Sequence, residues 1–354
     1  MLKIGLVGVR RGHIIQNLKF RNDVKFAAAC DIKFADTHQR NDFVESWKND
    51  DIEFEQLYDD YQKFLTHDLD VVLIATPPDL HATQAIQALQ ADIHVISEVP
   101  AVTDIEQAKA LVNAARNSKA KYMFAENCCY WAFVQAWKKI IEAGQLGEIF
   151  YMEGEYIHDI THLLYDTQGI PTWRAKLEPI RYITHETGPL FDMINDRGVS
   201  VTALASDEFS DDYHQPNATV ALVKTSKGTL IKLLVSLKNA ADNYHRYLVF
   251  GTKGTLETKT NQNITLADFK NIPHLLGQVT LPLGITEPNL SADKTQSHGS
   301  ADWRLLDTCI DAIVRDAPAP IDVYRGLDYT LPGICAIESL ATRQTVEIPN
   351  PREF

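Results

Sequence analysis

The chain has 354 residues, of which 45% are hydrophobic, and this length and composition favour two domains with substantial cores. The net charge of −13 disfavours nucleic acid and anionic membranes as partners, because both are bound mainly through Lys and Arg. Since no apolar run of about 18 residues and no charged-then-apolar leader occurs, we expect a cytoplasmic protein with five reduced cysteines and no membrane association.

The first predicted element is an apolar strand that ends in a glycine turn. Residues 3–15 read KIGLVGVRRGHII. A strand, a glycine turn and a helix direct backbone N–H groups and the positive end of a helix dipole at one point, where a pyrophosphate can bind. The predicted phosphate-binding turn consists of Gly8, Val9, Arg10, Arg11 and Gly12.

The second predicted strand, residues 25–30, is followed by an acidic residue. Asp31 lies about 20 residues after the glycine turn, where a carboxylate accepts hydrogen bonds from the ribose hydroxyls of NAD. The turn itself departs from the G-x-G-x-x-G pattern, because Arg10 stands in place of the second glycine. The predicted cofactor is therefore NAD, with the carboxylate disfavouring the additional phosphate of NADP.

Three further apolar strands alternate with predicted helices over residues 80–90 and 104–117. The strands cover residues 69–76, 93–97 and 121–125, and they predict a doubly wound α/β Rossmann domain with a parallel sheet. Ligands of such sheets bind at the carboxyl ends of the strands. The residues expected to converge there are Gly8, Asp31, Thr76, Glu98 and Glu126.

The pattern changes after Glu126, where a second domain is predicted. A helix over residues 130–143 precedes an extended segment at 147–156, and helices return at 303–314 and 324–343. Residues 260–300 are polar and read as a long surface excursion. The alternation predicts an α+β domain with a large, open, mostly antiparallel sheet, whose other strands cover residues 200–205, 218–224, 228–237, 244–251 and 254–258.

Together these motifs resemble the glucose-fructose oxidoreductase, inositol dehydrogenase and MocA family of NAD(P)-dependent enzymes. The resemblance implies an NAD-binding Rossmann domain over residues 1–124 and a substrate-binding and oligomerisation domain over residues 125–354. It also implies cofactor contacts from Thr76, Pro77, His81, Glu98 and Asn127. The motifs that carry it are the first glycine turn, Ala75-Thr76-Pro77 with His81, Glu98-x-Pro100, Asn127, Gly144-x-x-Gly147-Glu148-Ile149 and Gly251-Thr252-Lys253-Gly254.

Two positions depart from the ordinary dehydrogenases that the chain resembles. Those enzymes carry a lysine between the residues matching Glu98 and Pro100 and an aspartate four residues before the active-site histidine, where this chain has Val99 and Arg181. Several segments are instead similar to a subgroup that includes NAD-dependent alpha-N-acetylgalactosaminidases. In that subgroup, a sugar hydroxyl is oxidised, the aglycone is eliminated and the sugar is reduced again. The segments cover residues 97–101, 126–130, 153–159, 172–174 and 182–189.

The predicted catalytic residues are His185 and Tyr182. A histidine exchanges protons readily near neutral pH, so His185 is the expected base and Tyr182 its hydrogen-bonding partner. The predicted substrate-binding residues are Glu126, Tyr156, His158, Trp173 and Arg174, although Trp173 could equally be a core residue. His158 and His162 have the spacing of a zinc pair, but no third ligand follows a recognisable pattern, so no metal is predicted.

Three functions are consistent with these residues. The first is an NAD-dependent oxidoreductase that acts on a hydroxyl of a sugar or cyclitol. The alternatives are a redox-neutral glycosidase that uses the same NAD, and a sensor of NAD or sugar without catalysis. A broad sheet with few helices to cover its second face also predicts a homodimer or homotetramer.

Overall fold

The computed structural model describes residues 1–209, 213–241, 243–258, 265–269, 279–280 and 300–354, which form two compact units. The first unit comprises Met1–Asn127, a later segment ending at Leu327 and the terminal Phe354. The second begins at Cys128 and includes Asp328–Glu353.

The first unit includes this later segment, whereas the predicted domain boundary at residue 125 placed it in the second domain. Helix α8, Ala301–Val314, packs against the 3-10 helix Gly12–Phe20, which follows the glycine turn. Arg21 then donates to carboxylate oxygens of Asp307 and Asp311 on α8, at 2.5 and 2.9 Å. Residues 300–327 thus belong with the first unit because helix packing and ion pairs hold them there.

The first unit contains a six-stranded parallel sheet in the order β3-β2-β1-β4-β5-β6. Its strands are β1 (Leu2–Val7), β2 (Val24–Cys30), β3 (Gln56–Tyr58), β4 (Val71–Ile74), β5 (His94–Ser97) and β6 (Tyr122–Phe124). Its helices before α8 are α1 (Thr37–Asn49), α2 (Tyr61–Phe64), α3 (Pro78–Gln90) and α4 (Ile105–Asn117). The predicted Rossmann domain is confirmed.

The carboxyl ends of these strands lie along one edge of the sheet. β4 is buried at all four positions, as expected for a parallel strand covered on both faces. Val7, at the end of β1, is in register with Cys30 on one side and Ile74 on the other. The strand order reverses between β1 and β4, so the edge beside Gly8 is the place where doubly wound sheets bind ligands.

The second unit contains a nine-stranded sheet in the order β14-β13-β12-β11-β7-β10-β9-β8-β15. β7 and β10 pair in parallel and the other neighbours are antiparallel, so the predicted mostly antiparallel sheet is confirmed. The strands are β7 (Ile149–Ile157), β8 (Gly198–Ala205), β9 (Thr219–Thr225), β10 (Leu230–Ser236), β11 (Tyr244–Gly251), β12 (Gly254–Thr258), β13 (Thr265–Phe269), β14 (Val279–Thr280) and β15 (Val346–Glu347). The remaining helices are α5 (Ala132–Glu142), α6 (Thr161–Leu164), α7 (Thr184–Ile194) and α9 (Val323–Thr342), and the part of α9 up to Leu327 belongs to the first unit.

Helix α7 packs closely on one face of this sheet at Gly154 of β7. A Cβ atom at Gly154 would lie 2.8 Å from Cβ and 2.9 Å from Cγ of Glu186 on α7, so the glycine permits the approach. Because strand residues alternate between faces, Tyr156 lies on the same face as Gly154. His245 of β11 is the register partner of Tyr156 and shares that face.

The predicted surface excursion at residues 260–300 falls mostly outside the described residues. Its described parts include the two short strands β13 and β14 at the edge of the second sheet. Among the helices that the structure describes, none combines the length and apolar composition needed to cross a membrane.

Gly8→Ala is expected to destabilise the first unit strongly. Gly8 has a φ of +86°, and a Cβ atom there would lie 2.5 Å from backbone atoms of Ala75 and Thr76. Gly144 has a φ of +68° with no atom near its missing Cβ, so Gly144→Ala incurs only the conformational cost, about 1 kcal/mol. We expect a loss of about 2–5 kcal/mol for Gly8→Ala in urea unfolding, because the backbone clash adds to that cost. Equal losses in the two variants would contradict this account of the turn.

Candidate functional site

The glycine turn of the first unit packs tightly against the loop after β4. The Gly8 N–H donates to the Cys30 carbonyl at 3.0 Å, and the Gly12 N–H donates to the Gly8 carbonyl at 3.1 Å. Arg10 is exposed on this turn. The segment that follows is a 3-10 helix, whereas the sequence pattern predicted a helix without specifying its type. The turn keeps the compact backbone that phosphate-binding turns of this fold require.

Asp31 is anchored beside the glycine turn by two backbone N–H groups. The Val9 N–H donates to Oδ2 at 3.0 Å, and the Lys33 N–H donates to Oδ1 at 3.1 Å. The carboxylate is therefore oriented at the end of β2, next to the end of β1. Together, a carboxylate for ribose hydroxyls and a tight glycine turn for phosphates fit a dinucleotide.

His81 connects the loops that follow β4 and β5. Its Nε2 lies 2.8 Å from the Thr76 carbonyl oxygen, and its Nδ1 lies 2.8 Å from the Pro100 carbonyl oxygen. Burial lowers the pKa of this imidazole, against the effect of the two carbonyls. The Thr76 hydroxyl in turn donates to the side chain of Gln84 at 2.7 Å. These bonds position the predicted cofactor-binding loop, while direct cofactor contacts of Thr76, Pro77 and His81 remain predictions.

Asn127 and Glu126 follow β6, at the same edge of the sheet. Asn127 donates its side-chain amide to Oδ1 of Asp302 at 2.7 Å, and Asp302 is buried on α8. Glu126 is fully buried, and Glu98 lies at the end of the neighbouring β5. The prediction missed Asp302, since no local motif links a residue near the end of the chain to the edge of the first sheet.

In the second unit, His185 lies at the start of α7 among polar and aromatic side chains. Its Nδ1 is 3.4 Å from the Cys128 sulfur. The ring centroids of Tyr182 and Tyr156 lie 5.3 and 5.4 Å from that of His185, both in edge-on orientation. Tyr182 ends a 3-10 turn that directly precedes α7, so the two predicted catalytic residues meet across this junction.

The predicted substrate-binding residues of this unit fall into two groups. Tyr156 stacks on Tyr182, with centroids 6.0 Å apart, and its hydroxyl lies 3.2 Å from Nδ1 of His158. Trp173 and Arg174 lie on a separate 3-10 turn that packs against α6. There the guanidinium of buried Arg174 lies 4.0 Å from the Trp173 ring centroid. The structure joins the first group to His185, while substrate binding by the second stays a prediction.

Glu186 and His245 also belong to this cluster, although the sequence prediction did not include them. Nδ1 of His245 lies 2.9 Å from Oε1 of Glu186, whose side chain is fully buried. Tyr247, on the same face of β11, donates its hydroxyl to the His185 carbonyl at 2.6 Å. The available signal was the position of His245 among aromatic residues of a predicted strand. The sequence does not show which strand pairs with this one.

The two positions that depart from ordinary dehydrogenases hold no proton-relay pair. Val99 is buried and has no ionisable atom. Arg181 donates to Glu178 at 2.7 Å within the 3-10 turn before α7.

Comparisons with known proteins agree with this fold. Residues 2–126 match the family described as "Oxidoreductase family, NAD-binding Rossmann fold", and residues 134–257 match the "GFO/IDH/MocA C-terminal domain". A "Glycosyl hydrolase family 109 protein" from Solibacter usitatus is 24% identical, covering 96% of this chain and 85% of its own length. An "Alpha-N-acetylgalactosaminidase" from Bacteroides fragilis is 28% identical, covering 53% of this chain and 51% of its own length.

Solved structures show the same fold over nearly the whole chain. "Levoglucosan dehydrogenase, complex with NADH" superposes with a TM-score of 0.81 at 20% identity, covering 99% of both chains. The apo scyllo-inositol dehydrogenase from Lactobacillus casei gives a TM-score of 0.75 at 17% identity, covering 98% of both chains.

His81 is expected to make the stability of the protein depend on pH. Because its pKa is lowered in the folded state, the unfolded chain binds the proton more readily, and the contribution is complete only above the ordinary value of about 6.5. We expect the free energy of unfolding to fall as the pH drops from 7.5 to 5.5, by up to about 1.4 kcal/mol per pH unit from this residue.

Urea unfolding of His81→Gln across the same pH range checks this expectation. The variant should be less stable at pH 7.5 by about 1–3 kcal/mol, because it loses the imidazole bonds, but its stability should fall less with pH. Burial also lowers the pKa of His94, which contributes equally in both proteins. Parallel pH curves for the two proteins would show that His81 is not the responsible group.

Proposed function

Because the chain belongs to the GFO/IDH/MocA oxidoreductase family, whose first domain is an NAD-binding Rossmann fold, we propose that it uses NAD to oxidise a hydroxyl group of a sugar or cyclitol. The observation that carries the proposal is the cluster around His185 on the α7-covered face of the second sheet. It combines an imidazole, which can accept a hydroxyl proton, with stacked phenol rings, which can bind a sugar.

His185 is the proposed base of the reaction. A hydroxyl can lose the hydrogen on its carbon only as its own proton is removed, so a base must reach the hydroxyl oxygen. With Nδ1 of His185 beside the Cys128 thiol, Nε2 is the proposed proton acceptor. The Tyr182 ring is adjacent and is the proposed hydrogen-bonding partner.

Aromatic rings in the cluster support a carbohydrate substrate. The rings of Tyr156 and Tyr182 are nearly parallel, with 14° between their planes, and each presents an apolar face and a polar hydroxyl. A sugar or cyclitol has the matching chemistry, since its C–H faces are apolar and its rim carries hydroxyl groups. His158, Trp173 and Arg174 are proposed to extend this binding surface.

NAD, when bound, supplies the two-electron acceptor for the reaction. In the first unit, Asp31 is proposed to hydrogen-bond the ribose hydroxyls, and the turn from Gly8 to Gly12 to hold the pyrophosphate. The negative carboxylate of Asp31 opposes a phosphate on the ribose, so NAD is the proposed cofactor in preference to NADP. Thr76, Pro77, His81, Glu98 and Asn127 are proposed to line the remainder of the cofactor site, and Glu126 to bind substrate hydroxyls.

A redox-neutral glycosidase is the second candidate. Curated relatives named as family 109 glycosyl hydrolases span 96% of this chain, and the position of the dehydrogenase lysine is occupied by buried Val99. In such a reaction, oxidation to a ketone acidifies the neighbouring C–H bond, elimination releases the aglycone, water adds to the double bond, and the ketone is reduced again. NAD is then unchanged at the end of each cycle.

A panel of sugars, cyclitols and nitrophenyl glycosides tests both candidates with NAD and with NADP. NADH formation supports the dehydrogenase, whereas nitrophenol release without net NADH supports the glycosidase. His185→Ala should lower the active turnover by about 10² to 10⁴ and leave NAD affinity nearly unchanged, because only proton transfer is removed. The matched control is His162→Ala, at an exposed histidine in the same unit.

Ligand binding without turnover of any compound would contradict both enzyme candidates and leave a sensor of NAD or sugar. Full turnover by His185→Ala would instead show that another residue is the base. Tighter binding of NADP than of NAD would contradict the proposed role of Asp31.

We also propose that the protein is a cytoplasmic homodimer or homotetramer that assembles through the face of the second sheet opposite α7. That face carries exposed apolar side chains on neighbouring strands, of which Leu204 is 74% and Leu222 is 44% exposed. Exposed apolar patches of this kind usually mark interfaces, and a symmetric interface can use the same face twice. All five cysteines are free and buried, which suits a reducing compartment.

Light scattering at micromolar concentration tests the assembly against the single-chain mass of 39.8 kDa. We expect about two or four times this mass, and a smaller mass for the double variant Leu204→Lys and Leu222→Lys, because the charges oppose burial of the face. Leu80→Lys, at an exposed leucine of α3 in the first unit, serves as the control and should leave the mass unchanged. A mass of one chain for the unmodified protein would rule out the proposed assembly.

A further inference from the structure

Glu186 and His245 form an ionisable pair beside the proposed base. The Glu186 carboxylate is fully buried, while 21% of the His245 side chain is exposed. A buried carboxylate is costly unless a partner compensates its charge, and Nδ1 of His245 lies 2.9 Å from it. The contact is therefore an ion pair whenever His245 is protonated.

We propose that His245 is a second proton-carrying residue of this site, held as the imidazolium by Glu186, while His185 is the neutral imidazole that acts as base. Glu186 is then a positioning residue, because it acts through His245. This inference rests on the proposed oxidation of a hydroxyl group and assigns to His245 the stabilisation of the negative charge that develops on the oxygen.

The fold fixes the positions of the two histidines relative to each other. His245 is the register partner of Tyr156, and their ring centroids are 4.7 Å apart. The centroids of His245 and His185 are 6.0 Å apart. The hydrogen bond from Tyr247 to the His185 carbonyl and the close approach at Gly154 hold α7 against these strands. Both imidazoles thus belong to one cluster on the covered face of the sheet.

The Nδ1 atoms of the two imidazoles have different partners. Nδ1 of His185 is beside the Cys128 thiol, whereas Nδ1 of His245 donates to a carboxylate. A carboxylate stabilises a protonated imidazole and fixes its orientation, so Glu186 favours the charged form of His245.

The other groups that face His245 do not reverse this assignment. They are the phenol rings of Tyr156 on β7 and Tyr247 on β11, the indole of Trp131 before α5, and the imidazole of His185 on α7. Of the groups in contact with His245, Glu186 supplies the negative charge.

The proposed proton and electron movements balance. The hydroxyl proton moves to His185, the electron pair of the C–H bond moves with its hydrogen to NAD, and a ketone is formed. His245 keeps its proton and donates a hydrogen bond to the oxygen as negative charge develops there. A hydrogen-bond donor that is held in position in a partly buried site stabilises this charge and thereby lowers the activation barrier.

Histidine NMR titration tests the pair without any substrate. The chain has 12 histidines, and the variants His245→Asn and His185→Asn each remove one resonance and so assign it. We expect the His245 titration midpoint to lie above the midpoint in the urea-unfolded protein. Glu186→Gln should lower it by about one pH unit or more, because the amide keeps the shape of the side chain and removes its charge.

Glu153→Gln is the matched control, since Glu153 is a partly buried carboxylate on the opposite face of the same sheet, bonded to Lys232 and Arg246. This change should leave the His245 midpoint unchanged. A His245 midpoint at or below that of the unfolded protein would overturn the proposal, and this result does not depend on whether Glu186→Gln folds. An unshifted midpoint in folded Glu186→Gln would overturn it equally.

Activity adds a second readout that separates this inference from the proposed function. On any compound that the panel shows to be a substrate, Glu186→Gln should lower kcat by about tenfold or more and move the alkaline limb of the pH profile to lower pH, because His245 must be protonated. A purely structural role would lower thermal stability without moving that limb. Failure of every compound in the panel would contradict the proposed function, whereas the NMR titration would still decide the protonation of the pair.

Discussion

The close approach of α7 to β7 at Gly154 determines the arrangement of the second unit's site. Because Gly154 has no side chain, Glu186 can lie against the strand with its Cβ only 2.8 Å from where a Cβ of residue 154 would be. The buried carboxylate then reaches His245, and His185 lies beside Tyr156. A single missing side chain thus allows an ionisable cluster to form on the buried face of a sheet.

The first unit uses the same physical principle for a different purpose. Gly8 allows the turn after β1 to lie directly on the backbone after β4, and Asp31 is oriented there by the N–H of Val9. In both units, an approach that only glycine permits brings a carboxylate or an imidazole to a defined place. The proposed chemistry combines the two, since one unit supplies the NAD-binding fold and the other supplies proton transfer and carbohydrate-binding rings.

Much of the fold could be predicted from the sequence, because its signals are local. The apolar run at residues 69–76 and the glycine turn each indicate a strand of a parallel sheet, and the alternating segments of the second unit indicate its strands. The pairing of His245 with Tyr156 depends on strand register between distant segments, which local patterns do not contain. For the same reason, the bond from Asn127 to Asp302 of α8 could not be predicted.

The turnover of Gly154→Ala, measured beside its NAD affinity, tests most directly whether this helix–sheet contact organises the chemistry. An added methyl group must displace Glu186 and the start of α7, and displacements of about 1 Å can lower turnover about 10²-fold. We expect such a loss in a folded protein whose NAD affinity is unchanged, because the NAD-binding fold lies in the other unit. Wild-type turnover in Gly154→Ala would contradict it.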